Sequence, residues 1–333
     1  EQLRGDRDLS KVPNLIYKKD GEVKVNRPFA KEELNALPTP DFDGLPLDLY
    51  LSPERVLPVM GSRGCYWEQC AFCSIPFDHM TFHVRYAENV VNDFKTLQEK
   101  YNCNNFFFTD EALPINFLRT FAAKIIEQKV DVQWTGELKF EKSLLKDDRM
   151  DLLYKSGCRK LIFGLESYNQ RVLDSMKKGV ELSWVDETAE RCMKLGIAMH
   201  FYLICGFPTE TREEVMDSIN FVLNNQRLLD SPGFSAILSQ FDLERGAPIE
   251  NAPEEWGISK LYTPPEHDLS LGYSYETSIG MNAEETSELY QELIEKLGRE
   301  VMTFPHNYSL SDGLLYLAYH QKHSLTERLG ALA

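Results

Sequence analysis

The sequence contains no unbroken stretch of about 18 apolar residues, so it carries no helix that would span a membrane. It shows no charged start followed by a short apolar run, the mark of a secretory signal. Positive charge is scarce: 36 Lys and Arg stand against 52 Asp and Glu, a formal net charge of −16. That balance leaves little basic surface for a phosphate backbone, so nucleic acid is not an expected partner. The seven cysteines do not form a disulfide framework, because three crowd into nine residues while Cys103, Cys158, Cys192 and Cys205 are scattered. This usage fits a reducing cytoplasm. No repeat at solenoid spacing and no low-complexity tract is present. The chain begins Glu1-Gln-Leu-Arg4 without a methionine, which reads as a processed or excised fragment that has lost an N-terminal domain.

What is present is an ordinary globular balance, 43% hydrophobic and 26% charged over 333 residues. This is enough for one large α/β domain with appendages, or for two domains. Residues 1–52 are polar and rich in turns, with Pro13, Pro28, Pro38, Pro40 and Pro46 spread through them. A small hairpin is predicted at residues 14–25 around Asp20-Gly21, and the rest reads as an extended connector lying on another surface. From residue 56, short apolar runs alternate with amphipathic stretches. Strands are predicted at 56–61, 105–109, 132–135, 160–165, 197–205 and 234–241. Helices are predicted at 87–100, 116–128, 142–155, 169–176 with 183–195, and 212–224. In the first of these, Val90, Val91, Phe94 and Leu97 share one face. Six strands alternating with helices imply a parallel sheet with right-handed crossovers, and periodicity alone does not choose between a barrel and an open sheet. After residue 246, Pro248, Pro253, Pro264 and Pro265 mark a loop-rich stretch. A helix over 283–303 follows, with Leu289, Leu293 and Leu297 in register.

The densest chemistry is Cys65-Tyr-Trp-Glu-Gln-Cys70-Ala-Phe-Cys73, directly after the first strand. Three thiolates on one loop can wrap a soft metal centre, and the lack of a fourth nearby cysteine leaves one coordination position open. A zinc site completed by His79 or His83, or a redox pair at Cys70 and Cys73, are the plainer alternatives. The loop leaves the C-terminal end of the first strand of a βα repeat, the end at which such folds place active sites.

At these residues the chain resembles the radical S-adenosylmethionine (SAM) enzymes, whose signature is a three-cysteine loop after the first strand. The family's usual C-x-x-x-C-x-x-C is widened here by one residue, with Tyr66 to Gln69 in the first gap. Phe72 sits where the family has an aromatic residue beside adenine. Thr109-Asp110-Glu111 occupies the place of the family's Gly-Gly-Glu motif, without its two glycines, so Asp110 or Glu111 would hold the methionine ammonium. Gly164-Leu-Glu166-Ser167 matches the segment that binds ribose hydroxyls or the methionine carboxylate, and Gly206-Phe-Pro208 resembles the turn bordering adenine. Each fragment alone has an ordinary explanation as core, turn or helix-end charge. Their shared place at successive strand ends favours function.

The resemblance covers residues 56–245 and implies a partial (β/α)6 TIM-like barrel, an α/β fold. An N-terminal connector (1–52), the barrel (53–245) and a C-terminal loop-plus-helix extension (246–333) would make up the chain. It implies an enzyme in which Cys65, Cys70 and Cys73 hold a [4Fe–4S] cluster that cleaves SAM, fed by an external flavodoxin- or ferredoxin-like donor. Val12-Pro13-Asn14-Leu15-Ile16-Tyr17, the Asp20-Gly21 turn and Pro38-x-Pro40-Asp41-Phe42 resemble the connector of the cobalamin-dependent branch. That branch implies cobalamin carried by a domain not in this chain, and methylation or another radical modification of a small metabolite or peptide. A methylthiotransferase acting on tRNA or protein is the second enzymatic reading, opposed by the negative charge. A non-catalytic iron–sulfur or zinc protein is the third. Trp256, Tyr262, His267, Tyr273 and Tyr275 would line a substrate cleft or form a satellite core, the latter being the commoner arrangement. Cys205 reads as a buried free cysteine.

Overall fold

The computed structural model describes residues 5, 8–27, 33–47, 50, 54–76, 82–265 and 270–300. Pro28, His79, His267 and positions 301–303 of the expected C-terminal helix lie outside them. The chain divides into two compact units, Glu1–Pro38 and Thr39–Ala333. In the first, β1 (Ile16–Lys19) and β2 (Glu22–Val25) pair antiparallel around Asp20-Gly21, the hairpin expected there.

The second unit opens with residues 39–47 held along α1 (Ala87–Tyr101). The Tyr101 hydroxyl accepts from the Phe42 N–H at 2.7 Å and lies 2.8 and 2.9 Å from the Asp41 and Asp43 carboxylates. Lys100 pairs with both carboxylates at the surface. Strand β3 (Val56–Val59) leads to a short antiparallel pair, β4 (Ser62–Arg63) and β5 (His83–Val84), that brackets the cysteine loop. Then come α1, β6 (Asn105–Phe108), α2 (Ile115–Glu127), β7 (Gln133–Leu138), α3 (Arg149–Lys155) and β8 (Cys158–Glu166). The order continues with α4 (Gln170–Ser175), α5 (Leu182–Leu195), β9 (Ala198–Cys205), α6 (Arg212–Leu223), α7 (Gln226–Leu229) and β10 (Ser235–Gln240). The six long strands form one sheet in the order β3-β6-β7-β8-β9-β10, each neighbouring pair parallel. Because β3 and β10 are both edges, the (β/α)6 unit is a partial barrel, as the family resemblance implied. Pro58 is tolerated in β3 because an edge strand has one side free of ladder bonds.

Two expected elements differ. The third strand extends to Leu138, and the helix expected from 142 begins only at Arg149. Residues 142–146 make single turns with i→i+3 bonds, and Asp147 at φ 55° is left-handed, which stops a helix from running through it. The loop-rich stretch after 246 contains a further small sheet. There β11 (Leu243–Glu244), β13 (Gly272–Thr277) and β12 (Ile258–Tyr262) pair antiparallel, in that order. Its prolines fall in the connections, where Pro248 and Pro253 start 3-10 turns. Helix α8 (Ala283–Glu300) buries Leu289, Leu293 and Leu297 and packs on β10 and α6, covering that edge of the barrel sheet.

Side-chain alternation sets the two faces of the barrel sheet. Phe106 and Phe108 meet Phe94 of α1 and Phe121 of α2, so odd partners such as Asn105 and Phe107 point to the opposite, concave face. Register carries that face across the sheet. Phe107 pairs with Thr135, Thr135 with Lys160, Lys160 with Ala198, and His200 with Ser235. Towards the C-terminal ends the same face presents Glu137, Gly164 and Tyr202. Phe121, fully buried among Phe94, Phe108, Phe117 and Trp134, anchors the helix side. Phe121→Ala is expected to cost about 3–5 kcal/mol of folding stability, read from the urea midpoint at unchanged m-value.

Candidate functional site

The root of the cysteine loop is fixed by a buried carboxylate. Asp110, just past β6, accepts from the Gly61 N–H at 2.9 Å, from the Ser62 hydroxyl at 2.6 Å, and from the Ser62 N–H. Burial pushes its pKa up to about 6, although the Gly61 and Ser62 donors favour the ionised form. Arg85, at the far end of the loop, donates to the Met60 carbonyl at 3.0 Å and pairs with buried Asp93 at 2.7 Å. The Thr39 hydroxyl donates to the same Asp93 at 2.6 Å.

From that root the loop reaches across to the C-terminal ends of β7 and β8. The Ala71 N–H donates to the Met176 carbonyl and the Trp67 indole to the Lys177 carbonyl, both at 2.9 Å. The Tyr66 hydroxyl donates to Glu141 at 2.5 Å. Within the first gap Glu68 adopts φ 52°, a left-handed conformation. Cys65, Cys70 and Cys73 are half-buried free thiols. Burial raises the pKa of Cys70 and pushes Cys73 up to about 11, each thiol feeling its neighbours on the loop. Of the remaining cysteines, Cys103, Cys158, Cys192 and Cys205 are buried in the fold.

Three half-buried thiols on one loop fit an iron–sulfur cluster. Among the described residues no group of three His, Cys, Asp or Glu could hold one metal ion, and His79 lies outside them. A cluster places each thiolate on a separate iron. His83, the candidate fourth zinc ligand, sits on β5 opposite Arg63.

An ion pair joins the end of β8 to the segment after α4, and both its members act on the Cys70 thiol. Lys178 Nζ meets Glu166 Oε1 at 2.6 Å with both side chains mostly shielded. Burial opposes the Lys178 charge, but Glu166, Cys70 and Glu137 outweigh it and raise the pKa above the usual lysine value. A Cβ on Gly164 would run into the Glu166 carboxylate and lie 2.7 Å from Lys178 Nζ, so the pair occupies the space that this glycine leaves. The Lys178 ammonium is 5.7 Å from the Phe72 ring centroid. Phe72 also packs against a satellite core that includes Ala71, Met176, Phe207 and Trp256. Glu137, half-buried on the concave face, is pushed up to about 8 by burial, with Glu166 and Glu111 adding to the rise and Lys178 opposing it. Tyr202 is raised by burial and by Glu137, Glu166 and Glu111, so these groups share one space.

Other residues singled out by motif lie further back. Ser167 is fully buried with its hydroxyl 3.3 Å from Ser218 on α6, turned into the wall. Gly206 and Pro208 are buried in a turn closed by Glu210, whose carboxylate accepts from the Gly206 and Phe207 N–H groups at 2.8 and 3.2 Å. Thr211 and Glu214 then form a reciprocal capping box that starts α6. Glu111 is exposed beside the site. Sequence reasoning did not single out Glu137, Lys139, Lys178 or Tyr202. The alternation of Trp134 and Leu138 with Thr135, Glu137 and Lys139 is a period-2 signal that would have extended the third strand and found two of them.

A parallel half-barrel with a three-thiol loop and charged groups at one end defines a radical SAM domain. Residues 59–222, just under half of the chain, match the model of the Radical SAM superfamily. It is 29% identical over 231 residues to an uncharacterized methyltransferase of Pyrococcus horikoshii, covering 66% of this chain and 49% of that protein. It is 25% identical to the bacteriochlorophyllide d C-12(1)-methyltransferase of Chlorobaculum tepidum, covering 55% of this chain and 40% of that protein. The chain thus spans half or less of the length of these curated relatives. The apo structure of OxsB, a cobalamin-dependent S-adenosylmethionine radical enzyme, superposes with a TM-score of 0.66 at 16% identity. That match covers 88% of this chain and 48% of OxsB, and it shows the shared fold. Among the described residues no helix is long and apolar enough to cross a membrane.

Asp110→Ala would strand the Gly61 and Ser62 N–H groups and is expected to cost about 2–4 kcal/mol. The sign of its pH dependence follows from the raised pKa. Between the unfolded carboxylate value of about 4 and the folded value of about 6, the native state holds the extra proton. Asp110's contribution to stability therefore falls as pH rises through that window. Urea titrations at pH 4, 5 and 6 should show a flatter slope for the variant than for the native chain.

Proposed function

We propose that this chain is the SAM-cleaving half of a cobalamin-dependent methyltransferase acting on a small metabolite or peptide. The observation that carries the reading is the convergence of three free thiols and the Lys178–Glu166 pair at one end of the sheet, in a domain whose relatives include methyltransferases. Cys65, Cys70 and Cys73 are the residues that would hold a [4Fe–4S] cluster, with one iron left open to SAM. When bound, the cluster supplies the electron that breaks a carbon–sulfur bond of SAM.

The chain's own residues bind and orient. The Lys178 ammonium suits the SAM carboxylate, and Glu166 aims it through the 2.6 Å pair. Asp110 is committed to the loop root, so Glu111 is the carboxylate of that motif left for the SAM ammonium. Phe72 offers a ring face to adenine, bordered by the Gly206–Pro208 turn through the satellite core. Ser167 stabilises the wall behind. Glu137 and Tyr202 face the remaining concave space, where they can hold or receive a proton of the substrate. Cobalamin would come from a domain outside this chain, and a flavodoxin- or ferredoxin-like protein would supply electrons. Residues 1–52 would serve as connector, 53–245 as barrel and 246–333 as the extension that shapes the entrance. Seven free cysteines support a reducing cytoplasm, and the net charge of −16 opposes a tRNA substrate.

After anaerobic reconstitution, Cys65→Ala, Cys70→Ala and Cys73→Ala are each expected to lose the cluster's visible absorbance and bound iron. Full absorbance in any one of them would overturn the ligand set. Lys178→Met should keep the cluster and bind SAM at least about ten-fold more weakly by calorimetry. A native chain that holds its cluster yet converts SAM to neither 5′-deoxyadenosine nor methylated product under dithionite would point to a binding role instead.

A further inference from the structure

Lys139 carries a charge in a place that ordinarily excludes one. It follows Leu138 off the end of β7 and is only 6% exposed. A buried ammonium needs compensation, yet Lys139 makes no ion pair with a carboxylate among the described residues; the carboxylate that acts on it, Glu141, accepts instead from Tyr66 and Ser143. Its partners are neutral. Nζ donates to the Gly179 carbonyl at 2.5 Å and lies 4.0 Å from the centroid of the Trp67 ring. Trp67 stands in the widened gap of the cysteine loop, and a Cβ on Gly179, at φ 60°, would run into its ring. The loop, the glycine and the lysine are thus fitted to one another. The groups that act on Lys139 include Cys70 and Cys65, and Cys70 is also coupled to Lys178.

The geometry points to Lys139 as a positioning residue for the iron–sulfur cluster: stacked on Trp67 and bonded to Gly179, it locks the widened cysteine loop against β7 and places a fixed positive charge beside Cys65 and Cys70. This rests on the reading of Cys65, Cys70 and Cys73 as cluster ligands. A cation near the cluster stabilises its reduced, more negative state and so raises its potential. Lysine and tryptophan therefore do two things at once, holding the loop and making the first electron easier to accept.

The test uses the full chain, reconstituted anaerobically with iron and sulfide, as native protein and as Lys139→Met, Lys139→Arg and Trp67→Leu. Iron content, iron release to a chelator and the midpoint potential in a redox titration are measured, with thermal melts to confirm folding. Lys139→Met should bind a cluster whose midpoint is more negative than the native one. Lys139→Arg, which keeps the charge, should return the midpoint towards the native value. Trp67→Leu should release iron about five-fold faster, the effect of losing one shielded cation–π contact. A cluster in Lys139→Met with native potential and native iron release overturns the proposal. If Lys139→Met does not fold, a Trp67→Leu cluster that releases iron at the native rate overturns it as well. A native chain that takes up no cluster, or a Cys70→Ala variant that keeps one, is a different failure, because it removes the ligand assignment itself.

Discussion

Two consecutive backbone N–H groups and one hydroxyl at Gly61 and Ser62 converge on the carboxylate of Asp110, and the placement of the cysteine loop depends on that closure. The loop begins where β3 ends, so it has no sheet of its own to hold it beyond the two-residue β4–β5 ladder. Asp110 ties its first end to β6, while Arg85 and Asp93 tie its second end to α1. With both ends fixed, the middle can lean across the strand ends and meet Lys139, Lys177 and Gly179 on the far side. A loop rooted less firmly would present its thiols to solvent in many arrangements, at an entropic cost to any metal that gathered them.

The site then separates its charges by depth. Lys178 and Glu166 form a shielded pair over Gly164, and Lys139 remains without a carboxylate beside the thiols. Glu137 and Tyr202 stand on the same concave face, and both are acted on by Glu111 and Glu166. The deeper layer of the same face holds Lys160, His200 and Ser235, with His200 3-fold constrained by a 2.8 Å contact to Ser235, by the edge of Tyr202 and by its strand. Burial first and Lys160 second hold that imidazole down to about 3, so it stays neutral across the working range.

Much of the fold was legible because its elements announce themselves by period. Val90, Val91, Phe94 and Leu97 repeat at helical spacing and are all fully buried, and the short β-rich runs at 105, 160, 198 and 235 are strands. The 142–155 segment misled because its composition suits a helix, while Asp147 takes a left-handed conformation that composition does not reveal. The small sheet after β10 was hidden by its prolines, which mark its turns rather than forbid its strands. In the site, Cys65, Cys70, Cys73 and Glu166 could be named from motif spacing. Lys178 could not, since it lies in no motif, and Lys139 was readable only as the end of a period-2 run; what each does comes from the residues it meets.

The sequence by itself determined the donor chemistry and the order of the elements. Three thiols within nine residues remain together whatever the chain does, and alternating apolar periods admit little besides a parallel sheet with helices outside. Tertiary structure decided how the acidic motif residues divide their work. Asp110 and Glu111 are adjacent and chemically alike, yet one is buried at the loop root and the other is exposed beside the site. It also decided that a lysine from β7, a tryptophan from the loop and a glycine after α4 would meet, although they are 72 to 112 residues apart in pairs involving the loop, because Lys139 minus Trp67 spans 72 and Gly179 minus Trp67 spans 112. Such meetings depend on strand register and on close approach at a single glycine, which act between distant segments and leave no local period to read.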